Sequence, residues 1–134
     1  MRVAAHRDLY DPERETPVLR GARCTECDTV YFPPMTIGCE VCGALESALS
    51  PAPLETTGVI HSVATVHRHH GHDIEAPFTM AEIQLDAGPL IHATMVEVVE
   101  PDVIGRRVAA RFVVARQDDD GNDVVEPRFE VVAA

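Results

Sequence analysis

The sequence has 134 residues, of which 46% are hydrophobic and 4% aromatic, a composition typical of about one globular domain. Its net charge of -11 and its lack of lysine argue against binding to nucleic acid, because affinity for phosphates comes largely from Lys and Arg. No apolar run approaches the roughly 20 residues needed to cross a membrane. Residues 1–15 lack the apolar core of a signal peptide, so we expect a cytoplasmic protein.

Residues 1–21 are polar and show only weak periodicity, with prolines at Pro12 and Pro17. This pattern predicts an N-terminal arm that is either extended or contains one short helix.

All four cysteines lie in the stretch RCTECDTVYFPPMTIGCEVCG, as Cys24, Cys27, Cys39 and Cys42. Each CxxC turn can point two sulfurs at one ion, and two turns complete the tetrahedral thiolate shell that Zn²⁺ accepts. Residues 22–46 are therefore predicted to form a zinc ribbon. The ion is expected to be structural, because four protein ligands leave no position for water or substrate. Iron in the same geometry stays an alternative, whereas disulfides are disfavoured without a secretion signal.

Residues 47–58, SALSPAPLETTG, are predicted to be a connector because they combine proline with serine and threonine. From residue 57 onward apolar and polar residues alternate, which indicates β-strands. The first expected strand covers residues 57–67. Strands at residues 79–86 and 90–98, joined by a DAGP turn, form a predicted hairpin.

Two more strands are expected at residues 107–115 and 127–132. Their predicted inward residues are Val108, Ala110, Phe112, Val114, Phe129 and Val131. Five short strands without a convincing helix predict a five-stranded OB-fold barrel over residues 57–134. Between the third and fourth strands, where many such barrels carry a helix, Pro101 and Gly105 allow little more than one turn.

The order of these features resembles a known family. The cysteine stretch contains FPP (Phe32, Pro33 and Pro34) and is followed by GVIHSVATVHR, LDAGPLIHATMV and IGRRVAARFV. Over residues 18–132 this is similar to the acyl-CoA-associated zinc-ribbon/OB-fold proteins, known as domain of unknown function 35. The resemblance implies a mainly β protein with a short N-terminal arm, a rubredoxin-like zinc ribbon and a C-terminal OB-fold. The four cysteines match the metal ligands of the family.

The resemblance also implies a function. Members of the family usually accompany thiolase-like enzymes that act on acyl-CoA thioesters, namely acetyltransferases, thiolases or retro-aldolases, and the partner holds the chemistry. We therefore expect a non-catalytic accessory subunit in a hetero-oligomer, with contact to acyl-CoA as an open question. Phe32, Pro33 and Pro34 are candidate contacts. A free-standing acyl-CoA-binding protein and, less favoured, a nucleic-acid-binding ribbon/OB module remain alternatives.

Histidines are concentrated after the first barrel strand, as His67, His69, His70 and His72. A second metal site is conceivable there, but no carboxylate pattern is present to orient the rings. An exposed loop is the favoured interpretation. Within it, His67 and Arg68 are candidates for contact with a partner or with coenzyme A phosphates, since OB-folds often bind ligands in this region.

Catalysis by the chain itself is not expected. His61 and His92 lie in predicted strands, but every cysteine is committed to metal and no serine nucleophile is paired with them.

Two acidic residues depart from the family pattern. Asp28 stands where members usually have glycine, and Glu40 stands where they have proline. Neither is a ligand, so metal binding is expected to persist on a more negative ribbon surface. The arm also lacks the Phe-Trp helix of many members.

Overall fold

The computed structural model describes residues 1–70 and 74–132. Its nine strands in those ranges are β1 (Arg2–Ala4), β2 (Val18–Cys24), β3 (Val30–Tyr31), β4 (Leu49–Glu55), β5 (Thr57–Val66), β6 (Phe78–Leu85), β7 (Leu90–Thr94), β8 (Arg107–Gln117) and β9 (Asp123–Val131). Two short 3₁₀ helices cover Glu46–Ala48 and Pro101–Val103. The protein is mainly β, as predicted.

The last five strands form the barrel. Their order in space is β9-β8-β5-β6-β7, and a parallel bridge between Met95 and Phe129 returns the chain after β7 to β9. The amide of Val96 donates to the Phe129 carbonyl at 2.7 Å. This closure gives the OB-fold. A register shift between Ile60 and Ser62 interrupts β5, and such bulges bend a strand and increase its twist.

The barrel core follows from the alternation of apolar residues along the strands. The side chains on its inner face are buried: Ile60, Ala81, Ile83, Leu85, Ile91, Val108, Ala110 and Phe129. Val114, also predicted to face inward, is instead 51% exposed. Val114 keeps the same β8–β9 register as Val108 and Ala110, because the register shift comes only after it, between Val114 and Arg116. Strand β8 pairs with β5 only from Arg107 to Ala109, so at Val114 the strand has left the closed part of the barrel and its side chain is not covered.

A second sheet, with strand order β3-β2-β4, forms the ribbon. The connector prediction for residues 47–58 was wrong, because β4 pairs with β2 from Glu55–Val18 to Leu49–Cys24. Its two prolines are tolerated because β4 is an edge strand of this sheet, where one side of the backbone needs no partner strand.

The arm consists of the short strand β1 followed mainly by turns and bends, and it joins the two sheets. Strand β1 runs parallel to β9. The buried hydroxyl of Tyr10 donates to the Val125 carbonyl at 2.7 Å and accepts from the amides of Ala5 at 3.0 Å and His6 at 3.2 Å. Tyr10 also forms an antiparallel bridge with Leu19 of β2. One residue therefore ties the arm to both regions, to the barrel through its side chain and to the ribbon through its backbone.

Within residues 1–70 and 74–132, no helix is long and apolar enough to span a bilayer.

Candidate functional site

The two CxxC turns have the same local fold. Cys24 ends β2, and the amide of Asp28 donates to its carbonyl at 2.8 Å. In the second turn the amide of Gly43 donates to the carbonyl of Cys39 at 2.9 Å. These hydrogen bonds curl each turn so that its two thiols point to the same side.

The left-handed backbone of these turns explains the departure at Asp28. Asp28 has φ of 65° and Gly43, at the equivalent position of the second turn, has φ of 79°. Glycine adopts this region without a steric penalty, and aspartate is one of the few other residues that visits it routinely. Arg23 also lies 3.7 Å from the Asp28 carboxylate. Aspartate can therefore replace the usual glycine without changing the turn.

The four sulfurs meet in one cluster and lie within 4.8 Å of one another. Cys24 Sγ lies 3.7 Å from Cys42 Sγ, and Cys27 Sγ lies 3.6 Å from Cys39 Sγ. Zn–S bonds of about 2.3 Å in a tetrahedron place sulfurs about 3.8 Å apart, so the cluster fits one tetrahedrally bound metal ion. None of the four is in a disulfide.

The Tyr31 hydroxyl favours the thiolate form of Cys39, which is the form that binds metal. The Tyr31 hydroxyl lies 3.2 Å from Cys39 Sγ and accepts from the amide of Glu40 at 3.2 Å, so its hydrogen is free to point at the sulfur. This hydrogen bond lowers the pKa of Cys39 to about 6 and raises the pKa of Tyr31 to about 12. Thr29 Oγ1 lies 3.1 Å from Cys27 Sγ. Such outer contacts orient ligands and tune metal affinity.

A cleft of about 250 Å³ opens where the arm, the ribbon and the barrel meet. Most of its wall is apolar, including Leu9 from the arm, Leu19 and Phe32 from the ribbon, and Ile91 and Pro127 from the barrel. The remaining polar side chains in the wall are His6, His92, Thr94 and Glu126. An apolar cleft with a few polar groups at a junction between structural units is typical of small-molecule sites.

The cleft exists because the barrel is incompletely closed between β7 and β9. In the described residues these strands are bridged at Met95–Phe129, while β1 covers β9 only from Asp123 to Val125. Between these two contacts lies Pro127, which has no amide hydrogen to donate. The arm and the ribbon then lie over the gap.

The residues that the sequence predicted to contact a ligand or a partner do not lie together in one site. Phe32 lines the cleft, whereas Pro33 and Pro34 do not. His67 and Arg68 are exposed beyond the end of β5 and away from the cleft lining.

The sequence favours an exposed loop over a second metal site at the histidines, and the described residues show no such group of ligands around His67, His69 and His70. Within the described part of the chain, the cysteines are the one group of metal-ligating side chains close enough to share an ion. His69 instead packs edge-on against Phe78, with ring centroids 5.2 Å apart. His72 lies outside the described residues.

Sequence reasoning missed the arm and barrel residues of the cleft, including His6, Leu9 and Glu126. No periodicity or spacing marks them, because they come from separate segments.

The titratable side chains of the cleft wall have partners. His6 Nε2 lies 3.7 Å from Glu126 Oε2, and Arg128 donates to the other Glu126 oxygen at 2.6 Å. His92 pairs with Glu82 at 3.3 Å.

A tetracysteine ribbon joined to an OB barrel defines the class of this protein, and comparison with known proteins identifies the family. Residues 13–46 match the family described as "ChsH2, rubredoxin-like zinc ribbon domain", and residues 52–113 match "ChsH2, C-terminal OB-fold domain". A "DUF35 domain-containing scaffold protein" from Methanocaldococcus jannaschii is 33% identical over 111 residues, which is 81% of this chain and 77% of the relative. A solved structure named "Ltp2-ChsH2(DUF35) aldolase" superposes with a TM-score of 0.64 at 25% identity, covering 84% of each chain. The chain belongs to the ChsH2-like DUF35 family.

Proposed function

We propose that this protein is a non-catalytic, cytoplasmic accessory subunit of a thiolase-like enzyme that acts on acyl-CoA thioesters. The observation that carries the proposal is that one chain combines the ribbon and the OB barrel of this family. A relative of the chain is named as a scaffold protein, and a solved structure similar to it is named as an aldolase that contains ChsH2. The chain's own chemistry is consistent with this role. All four of its thiols converge on one cluster, which removes them as nucleophiles.

We assign a structural Zn²⁺ to Cys24, Cys27, Cys39 and Cys42. Four thiolates complete its tetrahedral shell and leave no position for a substrate. Bound there, the ion would hold the two turns together and stabilise the ribbon. Iron would fit the same geometry. Elemental analysis of protein expressed with both metals in excess separates them: zinc is expected, and an iron-thiolate absorption band would reassign the site.

The accessory role is tested by co-expression with thiolase-like enzymes from the same organism, one at a time. We expect one of these enzymes to co-elute with this chain as a hetero-oligomer, and to lose most of its turnover of acyl-CoA when this chain is omitted. The control is the same enzyme with an unrelated OB-fold protein. Separate elution from every such enzyme, with full activity of each enzyme alone, would reject the proposal.

The cleft supports a second candidate, a free-standing acyl-CoA-binding protein. Its wall is apolar enough for an acyl chain, and a volume of about 250 Å³ exceeds the cavity of about 150 Å³ that suffices to bind benzene in another protein. Isothermal titration of the isolated chain with a panel of acyl-CoAs tests it. Binding that Ala93→Phe abolishes by filling the cleft would favour this candidate. Absence of binding to the isolated chain would dismiss it.

A further inference from the structure

The tip of the ribbon exposes large aliphatic side chains. Ile37 is 86% exposed, Val41 65% and Leu45 77%. Val41 lies within the second CxxC turn, and Ile37 and Leu45 lie on either side of it, at the bridge between Gly38 and Leu45 that closes the segment. Exposed aliphatic residues are unremarkable when scattered, but a local group of them marks an interaction surface.

The ribbon does not need these side chains to fold. The turn that carries them is ordered by the cysteine cluster, by the amide of Gly43 bonded to Cys39, and by the amide of Cys39 bonded to the Ala44 carbonyl at 2.9 Å. Their apolar surface is thus left to solvent rather than used in a core. Contact with another molecule explains this exposed apolar surface better than a role in the fold of this chain does.

Acidic residues are interspersed with the aliphatic ones along this segment. Residues 37–48 contain two carboxylates, Glu40 and Glu46, and no basic residue. Glu26 of the first turn joins them across a shallow concavity that it shares with Leu45. All three glutamates are exposed. We call the six residues Glu26, Ile37, Glu40, Val41, Leu45 and Glu46 the ribbon tip.

We propose, building on the accessory-subunit function, that the ribbon tip docks onto the partner enzyme at an apolar surface flanked by lysine or arginine. Apolar side chains exclude water at the centre of an interface, and opposite charges around them steer the encounter and set the register. A second copy of this chain is the weaker occupant. Two ribbon tips would place like charges together, and each chain already carries a net charge of -11.

The experiment compares matched variants in complex formation with the thiolase-like enzyme that the co-expression test identifies. The ribbon variant carries Ile37→Ser, Val41→Ser and Leu45→Ser. The control carries Leu90→Ser and Val114→Ser, which remove exposed aliphatics from the barrel. We expect the ribbon variant to bind the enzyme at least tenfold more weakly and the control to bind within about twofold of wild type, with an unchanged metal content in both.

A charge variant tests the second part of the proposal. Replacing Glu26, Glu40 and Glu46 by glutamine is expected to slow association severalfold and to flatten its dependence on salt, because the steering attraction is lost. Wild-type affinity of both the ribbon variant and the charge variant would overturn the inference while leaving the accessory function intact. Failure of the wild-type chain to bind the enzyme would reject the accessory function itself. If the wild-type chain self-associates and the ribbon variant does not, the ribbon tip binds a second copy of this chain, and the inference is overturned.

Discussion

The ribbon and the barrel are both β-structures, yet different interactions hold them together. In the barrel the alternating apolar residues, such as Ile83 and Phe129, are buried at 0% and 1% exposure. In the ribbon Leu19 and Leu54, which pack into the hydrophobic core shared with the barrel, are buried, whereas Ile37 and Leu45 beside the cysteine cluster lie in solvent. An apolar residue of the ribbon is therefore buried only where the barrel core reaches it. At the end that carries the cysteines the cluster takes the place of an apolar core, and the aliphatic side chains there stay exposed.

Removing the metal should give the largest difference between the two regions, because it should destabilise the ribbon and leave the barrel folded. With Cys39→Ser we expect the metal content to fall from about one ion per chain to near zero, because the tetrahedral shell loses a ligand. The ribbon amides should lose protection from hydrogen exchange, while the barrel keeps its circular dichroism. Elemental mass spectrometry and exchange measure the two effects. Thr36→Ser is the control, and unchanged metal in the Cys39 variant would contradict the assignment.

The reciprocal change damages the barrel. Phe129→Ala empties a fully buried site and should lower the free energy of unfolding by about 3–5 kcal/mol, as measured by urea denaturation. Metal content should not change. Val114→Ala, at an exposed position on β8, should stay within about 0.5 kcal/mol of wild type. Metal loss in the Phe129 variant would show that the two regions are not independent.

The protein's two tyrosines divide between the two regions, which makes them a matched pair. Tyr10→Phe removes three hydrogen bonds of the hydroxyl, to Val125, Ala5 and His6, and leaves only the Ala5–Val125 backbone bond between the arm and β9 at this point. We expect a loss of about 1–3 kcal/mol in the free energy of unfolding, with unchanged metal affinity. Urea denaturation and a chelator competition provide the two readouts. An unaltered stability would mean that the arm does not anchor the barrel.

Tyr31→Phe should have the opposite profile. It removes the hydrogen bond to Cys39 Sγ and so raises the pKa of that thiol, which favours the protonated form. We expect metal affinity to fall by about tenfold, the lower end for outer contacts of a metal site, with little change in barrel unfolding. Chelator competition measures it. Equal metal affinity in the Tyr31 and Tyr10 variants would remove the distinction between the two tyrosines.

The smallest effect concerns an ion pair on the barrel surface. Arg107 and Thr57 donate to Asp86, with Arg107 Nη1 at 2.8 Å, and these hydrogen bonds lower the pKa of Asp86 to about 2. Because the unfolded pKa is about 3.9, the pair stabilises the folded state above about pH 4, and this contribution is lost as the pH falls toward 2.

Asp86→Asn should therefore flatten the thermal stability profile between about pH 4 and pH 2. The change at neutral pH should be slight, because solvent screens an exposed pair. Melting temperatures over this range, followed through the barrel signal, test it against Asp119→Asn. If the melting temperature of Asp86→Asn falls with pH as steeply as that of wild type, the Asp86–Arg107 pair is not the source of the pH dependence.

Local patterns predicted much of the fold. The two CxxC spacings anticipated the cluster of four sulfurs, and alternation anticipated the hairpin of β6 and β7 because one face of each strand packs against a core. Alternation did not predict the exposure of Val114, since β8 runs past its last pairing with β5 at Ala109 and leaves the closed part of the barrel. Proline content misassigned β4, because Pro51 and Pro53 are compatible with a strand when it lies at an edge. The ligand role of the cysteines and the contacts of His67 and Arg68 stay predictions.

By itself the sequence determined the cysteine cluster, the mainly β architecture and the family, because each depends on residues that are close along the chain or recur at a regular interval. Only the tertiary structure decided how the barrel closes, where the cleft opens and which aliphatic residues stay exposed. Those features combine residues from the arm, the ribbon and β9, whose distances depend on packing between segments far apart in sequence. Local periodicity carries no information about such distances.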